Sequence, residues 1–89
     1  MIKYKATYKT KIFTENGFLV PDGFSSVVFR NIGSDEATIF NNIPLSTLGE
    51  DYALINREFV AIDQNINVTF ATNVSPKVLA VMIYYNEKK

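Results

Sequence analysis

The side chains able to do chemistry in this sequence are of two kinds, lysines and carboxylates. Lys3, Lys5, Lys9 and Lys11 fall at odd positions of the N-terminal segment, with Thr7 between them and no acid before Glu15. At the period of two of a strand, all four project from one face. Two uses fit that stripe: contact with phosphates or an acidic neighbour, or a solvated edge strand whose lysines discourage edge-to-edge pairing. The carboxylates lie in Asp22, Asp35-Glu36, Glu50-Asp51 and Asp63. Calcium favours clustered loop carboxylates, but no stretch has the D-x-[DN]-x-[DN]-G spacing, so these read as polar turns. His and Cys are absent. That removes Ser-His-Asp and Cys-His nucleophiles, most zinc sites and disulfides. The 4 glycines are dispersed, so no phosphate-cradling loop is present. A carboxylate pair for glycoside cleavage is left open by spacing alone, yet nothing in the sequence points to the sugar cleft it needs. The expectation is a protein that is not an enzyme, with no catalytic, cofactor-binding or metal-ligating residues. Asn67-Val68-Thr69 and Asn73-Val74-Ser75 match glycosylation acceptors, and are discounted for want of a secretory signal.

The elements that would position these groups are strands. Ile2, Tyr4, Ala6 and Tyr8 alternate with Lys3, Lys5, Thr7 and Lys9, which predicts a half-buried strand with its lysines in solvent, running on to Phe13. Glu15-Asn16-Gly17 should turn the chain as a tight hairpin does. Short strands are predicted over 18–20 and 24–32, the latter forming a hairpin with 37–43 across the turn Gly33-Ser34-Asp35-Glu36. Pro44 lacks a donor and should end or bulge that strand. Residues 46–51 read as a connection or one helical turn, followed by short strands at 52–56 and 59–62. Residues 65–72 alternate with Ile66, Val68 and Phe70 on one face. In the last strand, 78–85, Val78, Ala80, Met82 and Tyr84 face one way, and Leu79, Val81, Ile83 and Tyr85 the other. Both faces are apolar, so a loop or another subunit should cover the outer one. Asn86 to Lys89 reads as a charged tail. No stretch of ten or more residues has helical spacing. The expected fold is all-β: a single antiparallel, jelly-roll-like β-sandwich of about 7–8 short strands filling residues 1–89 as one domain.

Composition narrows the task. A hydrophobic fraction of 47% with 13% aromatics fits a packed globule. The 9 basic and 9 acidic side chains balance to zero, which argues against a dedicated nucleic-acid binder and leaves copies of the chain free to approach one another. The longest apolar run, 78–85, is far short of the ~20 residues of a membrane span.

Several segments together resemble a pattern in small β-sandwich structural proteins of bacteriophage virions. They are the turn Asn31-Ile32-Gly33, the strand Ala37-Thr38-Ile39-Phe40, the step Ile43-Pro44-Leu45, the turn Leu48-Gly49-Glu50 and the strand Asn67-Val68-Thr69-Phe70-Ala71. Leu48 stands where that pattern has Pro, and the resemblance spans roughly residues 24–85. It implies a virion component (capsid, decoration, spike or fibre-base subunit) located in the particle, whose partners are itself and other virion proteins. The residues then expected at contacts are Lys3, Lys5, Lys9, Lys11, Tyr84 and Tyr85. The competing reading is a small binding module, most plausibly for carbohydrate such as a host glycan, through Tyr4, Tyr8, Tyr52, Tyr84 and Tyr85. A third is an accessory domain of a secretion or adhesion complex.

Overall fold

The computed structural model describes residues 3–47, 51–55, 61–72 and 74–88. They form eight strands and no helix: β1 (Lys3–Phe13), β2 (Gly17–Leu19), β3 (Ser26–Asn31), β4 (Ala37–Ile39), β5 (Ile43–Leu45), β6 (Asp51–Ile55), β7 (Ile66–Phe70) and β8 (Val78–Lys88). The strands make two four-stranded antiparallel sheets. A long sheet has the order β1-β8-β3-β6, and a short sheet β2-β7-β4-β5. The pairings nest: β1 with β8, β2 with β7, β3 with β6 and β4 with β5. The pairs β3–β8 and β4–β7 then close each sheet.

The inner faces meet in one core. Phe13, Val27, Phe29, Val78, Ala80 and Met82 come from the long sheet, and Leu19, Ala37, Ile39, Leu45, Ile66 and Val68 from the short one. Phe24, fully buried, fills the space ahead of β3. Alternation in β7, with Ile66 and Val68 buried and Asn67 between them, is the period-two pattern read directly.

Asn31 ties the two layers together. Its side-chain amide donates to the carbonyls of Asp35 (2.7 Å) and Leu45 (3.0 Å), and its oxygen accepts the Gly33 N–H (3.0 Å). Asn31 is buried, and this satisfies it from both layers at once. Gly33 then lies flat against the loop before β8. Its N–H donates to the Lys77 carbonyl at 2.9 Å, and an added Cβ would sit 2.5 Å from the Ser75 carbonyl oxygen. Only glycine permits so close an approach. The buried Asp35 carboxylate accepts the Ser75 N–H at 3.3 Å from the same loop.

Several expectations are corrected. Glu15-Asn16-Gly17 does not close a hairpin, because β1 and β2 enter different sheets. Gly23 is the one described glycine at positive φ, and Asn16 instead uses its side chain to accept the Phe70 N–H at 2.9 Å. Likewise β3 and β4 do not pair; the segment 31–36 carries the chain from one layer to the other. The strand expected over 37–43 breaks at Phe40 and Asn41, whose φ values of 57° and 68° reverse the chain into β5. Pro44 sits inside β5 without a bulge, because β5 is an edge strand whose free side needs no donor. Finally, residues 86–88 are strand rather than tail, paired with Lys3–Lys5. Ala61 and Ile62 lie outside any strand. The remainder of the strand expected at 59–62, Asn56, and residues 48–50 of the expected connection lie outside the described residues.

Candidate functional site

Register decides which side chains share a surface, because residues directly opposite in an antiparallel pair point the same way. Phe13 faces Val78, and Phe29 faces Ala80, all four in the core. The alternate positions form the outer face of the long sheet in three rungs, read across β1, β8, β3 and β6. They are Ile12–Leu79–Arg30–Asp51, Thr10–Val81–Val28–Ala53 and Tyr8–Ile83–Ser26–Ile55. Ala6 and Tyr85 extend it by one pair. Tyr8, Ile12 and Ile55 are 65%, 50% and 66% exposed. The charged residues on these rungs are Arg30 and Asp51, and they neutralise each other through a two-pronged ion pair of 2.6 and 2.9 Å. That bond holds the Asp51 carboxyl below its ordinary range and the Arg30 guanidinium above its own. The short sheet is different outside: Phe18, Asn67, Thr69, Thr38 and Pro44.

This geometry reverses the expected sidedness of β1. Lys9 and Lys11 lie opposite Met82 and Ala80, on the side that faces the core, while Tyr8 and Ile12 point out to solvent. The reason is register: Phe13 must close the core beside β2, and parity carries that choice back along β1. The two lysines remain exposed because β1 is an edge strand, and their stems lie along the rim. The Lys9 ammonium rests 5.0 Å over the Tyr84 ring, and the Lys11 ammonium 4.9 Å over the Phe13 ring. The side chains of Lys3 and Lys5 lie outside the described ones, as does that of Tyr4.

Tyr84 and Tyr85, adjacent in sequence, are separated by the pleat. Tyr84 packs edge-on against Phe24, with ring centroids 6.2 Å apart, and its hydroxyl donates to Asp22 at 2.6 Å. Partial burial, then the bond to Asp22 and the charge of that carboxylate, push its pKa up to about 12. Tyr85 lies outside, opposite Ala6 and diagonal to Tyr8. Tyr52 lies opposite Phe29 and packs against the core. The four described tyrosine side chains, Tyr8, Tyr52, Tyr84 and Tyr85, therefore do not converge into one sugar-stacking platform.

A separate open hollow of about 500 Å³ lies between the β1–β2 turn and the segment after β7, lined by Glu15, Asn16, Phe70, Ala71, Thr72 and Pro76. Among the described residues no group of three or more His, Cys, Asp or Glu side chains is placed to hold a metal ion, and no helix is long and apolar enough to cross a membrane.

The contribution of β1, β3 and β6 to the outer face was missed in the sequence. The available signal was the unbroken apolar runs Val27-Val28-Phe29 and Tyr52-Ala53-Leu54-Ile55, which fill both faces of a strand. Neither a family model, nor a curated protein, nor a solved structure matches the chain.

Proposed function

We propose that the chain is a non-enzymatic structural subunit of a bacteriophage virion, an eight-stranded jelly-roll sandwich that works through subunit–subunit contacts. The observation that carries this is the nested pairing. Strands one and eight, two and seven, three and six, and four and five pair as if one long antiparallel hairpin had been rolled up, giving the sheet orders β1-β8-β3-β6 and β2-β7-β4-β5. Double-sheet jelly rolls serve as viral capsid and lectin domains. An outer sheet face rich in Ile, Leu, Val and Tyr, with the charges of Arg30 and Asp51 neutralised in an ion pair, suits packing against a neighbour better than binding a charged ligand. Mass spectrometry of purified phage particles of the encoding genome tests the reading. The chain is expected at a copy number stoichiometric with other structural proteins, and its absence overturns the assignment.

The hollow beside β7 favours a second reading, a carbohydrate-binding module. It sets the aromatic ring of Phe70 beside Glu15, Asn16 and Thr72, the mix of stacking face and hydrogen-bonding groups a sugar needs. A glycan array decides it: a hit lost in Phe70→Ala supports the module, and a blank array removes it.

A further inference from the structure

We infer that the outer face of the long sheet is the docking surface for a second copy of this chain, packed sheet against sheet. The inference deepens the reading of the chain as an assembly subunit and rests on it, adding which surface is used and what covers it.

Three observations point to a like copy as occupant. The first is charge. Arg30 and Asp51 cancel within the three rungs, so this part of the face offers no net charge to attract a nucleic acid, an anionic surface or an acidic peptide. Two identical neutral faces meet without repulsion, in a chain whose total charge is also zero.

The second is shape. The central rung, Thr10–Val81–Val28–Ala53, holds small and β-branched side chains, with the bulkier Ile12, Tyr8 and Ile55 towards the margins. The side chains of the face are half-buried or exposed except Ser26, which is buried; a β-face of this kind is what the inside of a sandwich looks like before its second sheet is added, and sheets pack face to face about 10 Å apart. A twofold axis through the face makes one patch its own complement.

The third is area. Strands ~4.8 Å apart and ~3.3 Å per residue give the region where all four strands overlap, set by the five residues of β6, a footprint of roughly 19 by 17 Å. Closing two such corrugated faces removes somewhat under ~1,000 Å² from water, the size of a weak, transient interface. Beyond that region Ala6 and Tyr85 extend the face by one pair and add to the contact. An interface of this size gives a reversible dimer, which suits a subunit whose contacts become strong when repeated in a particle.

Sedimentation velocity from about 1 to several hundred µM is the first measurement, that upper range being where a weak interface of this size still associates. Wild-type protein is expected to approach twice the 10.1 kDa chain mass. The double variant Ile12→Lys/Ile55→Lys is expected to weaken association at least about tenfold with an unchanged circular dichroism spectrum, since both side chains are already half or more exposed. Tyr8→Lys is an independent variant of the same face. Phe18→Lys, on the other sheet, is expected to leave the dimer intact. The chain has no Cys, so Val28→Cys with a short bis-maleimide reports the geometry directly, and copies should join in high yield. A wild-type protein that stays monomeric, or a dimer that survives the lysines on the long sheet and dissociates with Phe18→Lys, overturns the inference. Neither result touches the virion reading, which particle mass spectrometry decides separately; a dimer broken by Ile12→Lys/Ile55→Lys but absent from particles would keep the face and lose the virion.

Discussion

The two sheets are alike inside and unlike outside. Each contributes fully buried aliphatic or aromatic side chains to one core, Phe29 and Val27 from the long sheet and Ile39 and Ile66 from the short one. On their outer faces, Thr38, Thr69 and Asn67 of the short sheet are partly wet and polar, as a two-layer protein requires. The long sheet places Leu79, Val81, Ile83 and Val28 in the corresponding positions. Folding explains the inner faces of both. It does not explain why the outer face of one should be apolar, since β7 builds a stable central strand with polar outward residues. That surplus is what the proposed docking of a second copy would use.

If the inner faces are equivalent, removing a large side chain from either should cost similar amounts. Phe29→Ala is expected to lose about 3–5 kcal/mol and Ile39→Ala about 2–5 kcal/mol, read by urea denaturation. For a domain of this size either loss is a large share of the total stability. A mild effect on one side alone would show that the core is not shared. The contacts joining the layers come next. Asn31→Ala removes the donor to the carbonyls of Asp35 and Leu45, while the Gly33 N–H keeps its bond to Lys77, and should cost about 1–3 kcal/mol. Gly33→Ala forces a methyl group into the Ser75 carbonyl and is expected to cost a similar ~1–3 kcal/mol. Both losses are measured by thermal or urea unfolding, and an unchanged midpoint in Gly33→Ala would mean the two loops separate freely.

Outer-face changes should leave the monomer nearly untouched. Ile55→Ser and Thr69→Ser are each expected within about 0.5 kcal/mol of wild type at concentrations too low for dimers. At high concentration Ile55→Ser alone should lower the midpoint, because a dimer stabilises the folded state by mass action. Equal behaviour of the two at every concentration would erase the distinction between the sheets. The smallest effect concerns pH. Tyr84 titrates near 12 in the folded chain and near 10 unfolded. The unfolded chain thus gives up this proton first, so the stability tied to the protonated hydroxyl is full below pH 10 and declines as pH rises from about 10 to 12. Absorbance at 295 nm should show a late-ionising component that is absent in Tyr84→Phe.

How much of this was legible in the sequence depends on the element. The alternation of Ile66, Val68 and Phe70 and the doubly apolar run 78–85 placed β7 and β8 nearly as they are, since a period of two with buried partners has one reading. The all-β class followed from the same signal. Strand partners did not, because alternation says which residues share a face and not which sheet they enter; Asn16-Gly17 and the turn at 33–36 looked like hairpins and are crossings. The sidedness of β1 was misread for a related reason. Its apolar half, Tyr4 to Tyr8, looks like a core stripe when read alone, and the parity that matters is set at Phe13, where the strand meets the interior. The isolated Asn31 gave no sign of its hub role beyond its place in an Asn-x-Gly turn.

The position of β8 between β1 and β3 also orders events in time. Lys9 pairs with Met82 and Val27 pairs with the same Met82, so neither early strand has its inner neighbour until the ribosome has delivered β8. The long sheet cannot assemble vectorially as the chain emerges; β1 waits through the synthesis of everything between. Pairings of such sequence separation form slowly, in milliseconds to seconds rather than microseconds. During that interval Lys9 and Lys11, which lie along the rim in the finished protein, put like charges on neighbouring β1 strands and disfavour their pairing with one another.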